Sequence, residues 1–259
     1  DADVGTVLGH DYYANDREGR AKIGTPAIDE HIYASHNGRI IAGLARFASA
    51  TNDGALLKSA IDATTVVEQR CRIDGVFLHA CETRGGAHLA DQVAMGLAFN
   101  ELYDATGDAQ WRERARDVAR SLARFHDDKA GGFFEHPPQA EFDLDMRKPI
   151  KQNAEAARFL LKLGRLDAND AWIEWANGAL DVFSNRAAVE DEGRTIGEYL
   201  LALEEARAEP LHFAIVSAVN DEATRALYRA ALDVYAPHRL IERVPPGAKY
   251  PALGKPDLY

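Results

Sequence analysis

The chain has 259 residues, 46% hydrophobic and 27% charged, with a formal net charge of −11. That length allows one large domain or two modest ones, and the acidity argues against a nucleic-acid partner, which wants a basic face. No run of about 18 apolar residues occurs, so no membrane-spanning helix is expected.

The first 36 residues show no helical period and read as an irregular leader; their opening, DADVGTVLGHDYY, has none of the marks of a secretory signal. Residues 37–51 carry the stripe Ile40, Ile41, Leu44, Ala45, Phe47 and Ala48, which predicts an amphipathic helix with Asn37 as its N-cap. TNDG makes a corner, and a more polar helix follows over 54–72. Cys71 ends it, and Cys81 is the only other cysteine. Two cysteines are too few for a disulfide-built secreted scaffold, so a reducing, cytoplasmic compartment is expected.

Residues 88–106 form the next apolar helix, with Leu89, Val93, Leu97 and Leu102 on or near one face. Gly107 suits a left-handed helix end and Asp108 suits the cap of the helix that follows. That helix has its apolar residues at Trp111, Ala115, Val118, Leu122 and Phe125, with Arg and Glu elsewhere. Further helices are predicted over 152–166, 169–183 and 194–208. FASATNDGAL, LYDATGDAQW and LGRLDANDAW are the same corner made three times. The first, third, fifth and seventh helices are the less charged set, as a ring of hairpins with inner and outer helices requires.

Two loop phrases also repeat. DGVFLHA and GGFFEHP each follow an outer helix with a glycine turn, aliphatic or aromatic residues and a histidine. Both predict short extended segments at one end of the ring, where sites commonly lie. The tail reads as strand (211–219), helix (220–237) and strand (238–244), a β-α-β unit without a glycine-rich phosphate motif. The expected organisation is therefore leader 1–36, α/α hairpin toroid 37–208 and a β-α-β tail 209–259 packed on the toroid.

Four phrases taken in order narrow the hairpin class: DEHIYASHNGRIIAGLARFA, HLADQVAMGLAFNELYDATGDAQW, FHDDKAGGFFEHP and APHRLIERV. Together they resemble the C-terminal helical region of thioredoxin-domain proteins of the YyaL and spermatogenesis-associated protein 20 type, over residues 25–255. The resemblance implies a mainly α fold like the (α/α)6 toroid of six-hairpin glycosidases and N-acylglucosamine 2-epimerases. The chain departs from that pattern at His36, where the family has Trp, and at IKQNAEA, which keeps only Asn153 of the family phrase. The family's thioredoxin domain and its paired cysteines are not in this sequence. Seven predicted helices are about half of a closed six-hairpin ring, so an incomplete toroid is expected, completed by a partner chain or by a second copy.

The N-terminal ends of inner helices converge on one face of such a ring, where helix dipoles favour polar and anionic groups. Those ends carry His36, Asn37, His88, Asp91, Gln92, Gln152, Asn153, Glu155, Glu198 and Tyr199, and the loops add His79, Glu135 and His136. Carboxylates and histidines suit proton transfer, and amides suit sugar hydroxyls. The expected catalytic residues are Asp91, His88, Glu135 and His136; the expected substrate-binding residues are His36, Asn37, Gln92, Gln152 and Asn153. A bland alternative stands beside each: a cap, a loop brace or an exposed side chain. His79, Cys81 and His88 are metal-ligand types, but their spacing fits no standard motif, so neither metal nor cofactor is expected. The function expected is sugar isomerisation, epimerisation or glycoside processing on a small sugar-like ligand. A non-catalytic half-toroid that docks to a thioredoxin-like partner or to itself is the alternative.

Overall fold

The computed structural model describes residues 4–5, 7–26, 28–82, 86–138, 146–185, 189–190, 192–236 and 238–247. The chain divides into two compact units, residues 1–31 and 32–259. The first holds two short helices, α1 (Gly9–Ala14) and α2 (Arg17–Ile23), the second capped by the Asp16 side chain, which accepts from the Gly19 N–H. The irregular leader is corrected here. Helices of six and seven residues complete about two turns, too few to display a 3.6-residue stripe.

The second unit is built from helical hairpins. They are α3 (Ala34–Thr51) with α4 (Gly54–Cys71), α5 (Leu89–Thr106) with α6 (Ala109–Ser121), and α7 (Ile150–Asp167) with α8 (Asp170–Asp181), followed by α9 (Gly197–Arg207). Each odd helix packs on the next, α3 on α5, α5 on α7 and α7 on α9, and each even helix packs on its own hairpin partner. This is an α/α toroid, and an incomplete one.

The repeated corner has one chemistry. Asn52, Gly107 and Ala168 adopt left-handed φ values of 57°, 64° and 48°, and their N–H groups donate to the carbonyls of Ala48, Tyr103 and Gly164. The next residue in each case, Asp53, Asp108 or Asn169, turns its side chain back onto N–H groups of the following helix. One left-handed residue closes the first helix and one short acceptor opens the second, which leaves a two-residue turn.

Between the inner helices, Gly38 meets the α5 backbone: a Cβ there would lie 2.7 Å from the carbonyl carbon of Ala94. Gly96 accepts the Phe159 ring in the same way, at 2.7 Å. Phe77, Phe99, Phe125, Phe133 and Phe159 are fully buried around these contacts.

β1 (Arg72–Ile73) and β2 (Val76–Phe77) form a tight antiparallel pair after α4. Cys71 and Cys81 are joined by a disulfide across this turn, with 4.3 Å between their Cα atoms. The cytoplasmic expectation rested on the low cysteine count, and pairing of both cysteines weakens that support. In the tail, β3 (His212–Val216) and β4 (Leu240–Val244) pair in parallel around α10 (Glu222–Asp233), as expected of a β-α-β unit. Arg112 of α6 ties this unit to the toroid, reaching Asp167 at 2.6 Å and Glu242 at 2.8 Å.

Candidate functional site

The first turns of α3, α5 and α7 carry an amide at the same place: Asn37, Gln92 and Asn153 each lie three residues after the helix start. Each donates to the carbonyl of its own N-cap residue, Tyr33, His88 or Pro149, at 2.9–3.1 Å. Gln92 and Asn153 do more. Gln92 accepts from the Phe77 N–H at 2.8 Å and donates to the Phe77 carbonyl at 2.7 Å. Asn153 does the same to Phe133, at 2.7 and 2.9 Å. Both amides are fully buried. Where substrate contact was expected, these side chains spend both amide N–H groups and one oxygen lone pair inside the protein, clamping the two repeated loops. Asn37 is not the N-cap either. The helix begins three residues earlier, at Ala34, with Tyr33 in the cap position.

The clamped loops deliver histidines. The loop after β2 lies against the strand-like entry to α3, with Ala34 N–H donating to His79 O and Cys81 N–H to Ile32 O. The loop after α6 meets α5, with Leu89 N–H donating to Glu135 O. Five rings consequently stand in a row. His36 contacts Tyr33 at 5.3 Å between centroids, Tyr33 contacts His79 at 5.1 Å, His79 stacks on His88 at 4.6 Å, and His88 meets the edge of His136 at 4.3 Å. Of the expected site residues, the row unites His36, His88 and His136. It adds His79, which the sequence placed on this face without a catalytic or binding role, and Tyr33, which the sequence did not single out.

Asp91 sits beneath the row with no exposed surface. Its Oδ1 accepts from the Ser35 N–H of α3 at 2.9 Å, and His79 Nδ1 lies 3.2 Å from Oδ2. A carboxylate only accepts, so the neutral His79 ring carries its proton on Nδ1 and turns the Nε2 lone pair away from Asp91. Asp91 was expected to be catalytic. It is fully buried, where its carboxylate caps α3 and lies against His79. Burial, together with the neighbouring His136 and His79, lowers the pKa of His88 below its ordinary value, and its neutral form is favoured. Glu135, next to His136, is partly exposed, as is Gln152 in the first turn of α7, and Arg39 of α3 reaches across to Glu155 of α7 at 3.2 Å.

A cleft of about 270 Å³ lies elsewhere, at the corners of the first two hairpins beneath the tail, where Asn52, Gly107, Tyr228 and Arg229 line it. It is the seam between toroid and tail.

No known family model matches this sequence, and no curated protein is detectably similar to it. Solved structures are similar in fold. A family 76 glycoside hydrolase from a bovine Bacteroides thetaiotaomicron strain superposes with a TM-score of 0.53 at 14% identity, over 61% of this chain and 36% of that one. A D-mannose isomerase superposes with a TM-score of 0.52 at 16% identity, over 62% and 45%. A sugar epimerase from a ruminal bacterium gives 0.51 at 14%, over 65% and 47%. The chain thus spans roughly a third to a half of the length of these toroids. At such identities the likeness shows the α/α toroid fold alone.

Proposed function

We propose that this chain is a carbohydrate-active toroid segment that moves a proton at the carbon next to the carbonyl of a reducing sugar, as an epimerase or aldose–ketose isomerase. The observation that supports this best is the row of imidazoles on the N-terminal ends of inner helices. His88 and His136 are in ring contact, so one takes the proton from carbon while the other serves the sugar oxygen. Return of the proton to the opposite face gives the epimer; return to the neighbouring carbon gives the isomer. His36 at one end of the row, Glu135 beside His136, and Gln152 in the first turn of α7 serve as contacts for hydroxyls. The solved neighbours include a mannose isomerase and a sugar epimerase, which fits this chemistry.

Glycoside hydrolysis is the weaker alternative, because it needs two carboxylates facing each other across the bond to be cut. Asp91 and Glu135 were the candidates, and Asp91 is buried and spoken for by Ser35 and His79. Deuterium wash-in tests the proposal. The protein is incubated in D2O with D-mannose or another reducing sugar, and the proton next to the carbonyl is followed by NMR. Loss of that signal with wild type and its persistence with His88→Ala are expected; no exchange with any common reducing sugar would remove the proposal.

The proposal includes a neighbour. Residues 25–255 resemble the YyaL-type helical region, and on α3 Ile40 and Phe47 are exposed at 60% and 58%. We assign this face to a further helical hairpin from a partner chain or a second copy.

A further inference from the structure

We infer that His79, His88 and Asp91 form a binding site for one divalent transition-metal ion, zinc in the first instance. It shares His88 with the sugar chemistry proposed above, so metal binding is tested on its own and the proton chemistry on the metal-free protein.

Each of the three residues offers one ligand atom, and these atoms lie within 4.8 Å of one another. Two imidazoles and one carboxylate with open positions are the protein half of many catalytic zinc and non-haem iron sites. His88 and Asp91 stand three residues apart at the start of α5, so they project to one side of the same turn. His79 arrives from the clamped loop. The sequence offered His79, Cys81 and His88 as ligand types but at a spacing that predicts no metal; the disulfide takes Cys81 out of the set, and Asp91 stands with the two histidines instead.

Charge supplies a second reason. Asp91 is fully buried, and among the described residues its only ionic partner is His79. A buried carboxylate without a firm cationic partner is costly, and a divalent ion compensates it where a neutral imidazole does not. The Ser35 N–H fixes Oδ1 and leaves Oδ2 toward His79.

Distance is the third. His79 Nδ1 and Asp91 Oδ2 are 3.2 Å apart. Two donors each about 2.0–2.1 Å from a tetrahedral ion lie about 3.3 Å apart, so the ion takes the place of the proton between them. On binding, His79 releases its Nδ1 proton to solvent, and one ligand–metal bond forms at each of Nδ1, Oδ2 and a His88 nitrogen. His88 is only half-buried, so its ring has room to turn into place. His136 stays outside the ligand set and keeps its capacity to carry a proton.

The test is zinc titration of the full chain, prepared without a polyhistidine tag and stripped with a chelator, followed by calorimetry and by the visible absorption of the cobalt form. One ion per chain and the intense bands of a low-coordinate cobalt site are expected. His88→Gln and His79→Gln should each weaken binding by more than about tenfold while circular dichroism stays unchanged. Absence of saturable binding at micromolar zinc, or equal affinity in wild type and His88→Gln, would overturn the inference. Deuterium wash-in on the stripped protein is read separately: it tests the sugar chemistry and leaves the binding result untouched.

Discussion

Asp91 shows how one buried carboxylate can serve two elements. It caps the start of α3 through the Ser35 N–H and sets the tautomer of His79, yet it reaches no solvent. Asp91→Asn keeps an oxygen for Ser35 but can present an amide to His79, which then changes tautomer or turns away. If His79 assists proton transfer, kcat for deuterium wash-in should fall about a hundredfold or more, with KM for the sugar nearly unchanged. A parallel rise in KM, or unchanged kcat, would remove the positioning role. This part of the site was half legible in the sequence. Asp91 and His88 were legible because three-residue spacing at a helix start puts them together. His79 was harder, because its partner lies 12 residues away and the pairing depends on how the disulfide-closed loop folds back. The signal available was the repetition of DGVFLHA and GGFFEHP, which places a histidine shortly after a clamped phenylalanine in both loops.

The three first-turn amides separate element-level effects cleanly. Gln92→Ala and Asn153→Ala each strand a buried N–H and a buried carbonyl of a phenylalanine, so each should cost about 2–4 kcal/mol. Asn37→Ala loses a single bond at a half-exposed position, and a cost of about 0.5–1 kcal/mol is expected. Urea denaturation of the three variants measures the series; equal costs would mean that the clamps do not hold the loops. Sequence alone could not distinguish these amides, because one that grips a sugar hydroxyl and one that grips a backbone carry the same letters. The corners were legible, since capping chemistry is local and asks only for a left-handed residue followed by a short acceptor. Ala168 is the corner residue that fits worst, with a side chain at φ 48°. Ala168→Gly should therefore stabilise the protein by about 0.5–1 kcal/mol, read as a higher denaturation midpoint with unchanged slope.

At the scale of the molecule, the aligned amides put all three inner helices in one register. Three and ten residues beyond them stand Met95 and Leu102 on α5, and Ala156 and Leu163 on α7, all with no exposed surface. The same positions on α3 are Ile40 and Phe47, exposed at 60% and 58%. The apolar character is the same; only the cover differs. Asn37 repeats the contrast, since its carbonyl oxygen accepts no hydrogen bond among the described residues, whereas Gln92 and Asn153 each hold a loop backbone. The further hairpin proposed above would cover this stripe, which the fold buries twice and leaves open once, with burial worth about 25 cal/mol per Å² of apolar area covered. The purified chain should therefore self-associate or bind a hydrophobic dye at micromolar concentration. Ile40→Glu with Phe47→Lys should abolish both without lowering the denaturation midpoint by more than about 1 kcal/mol, because neither side chain belongs to the core. Light scattering across a dilution series decides the matter: a wild-type monomer at every concentration that takes up no dye would mean that α3 needs no neighbour.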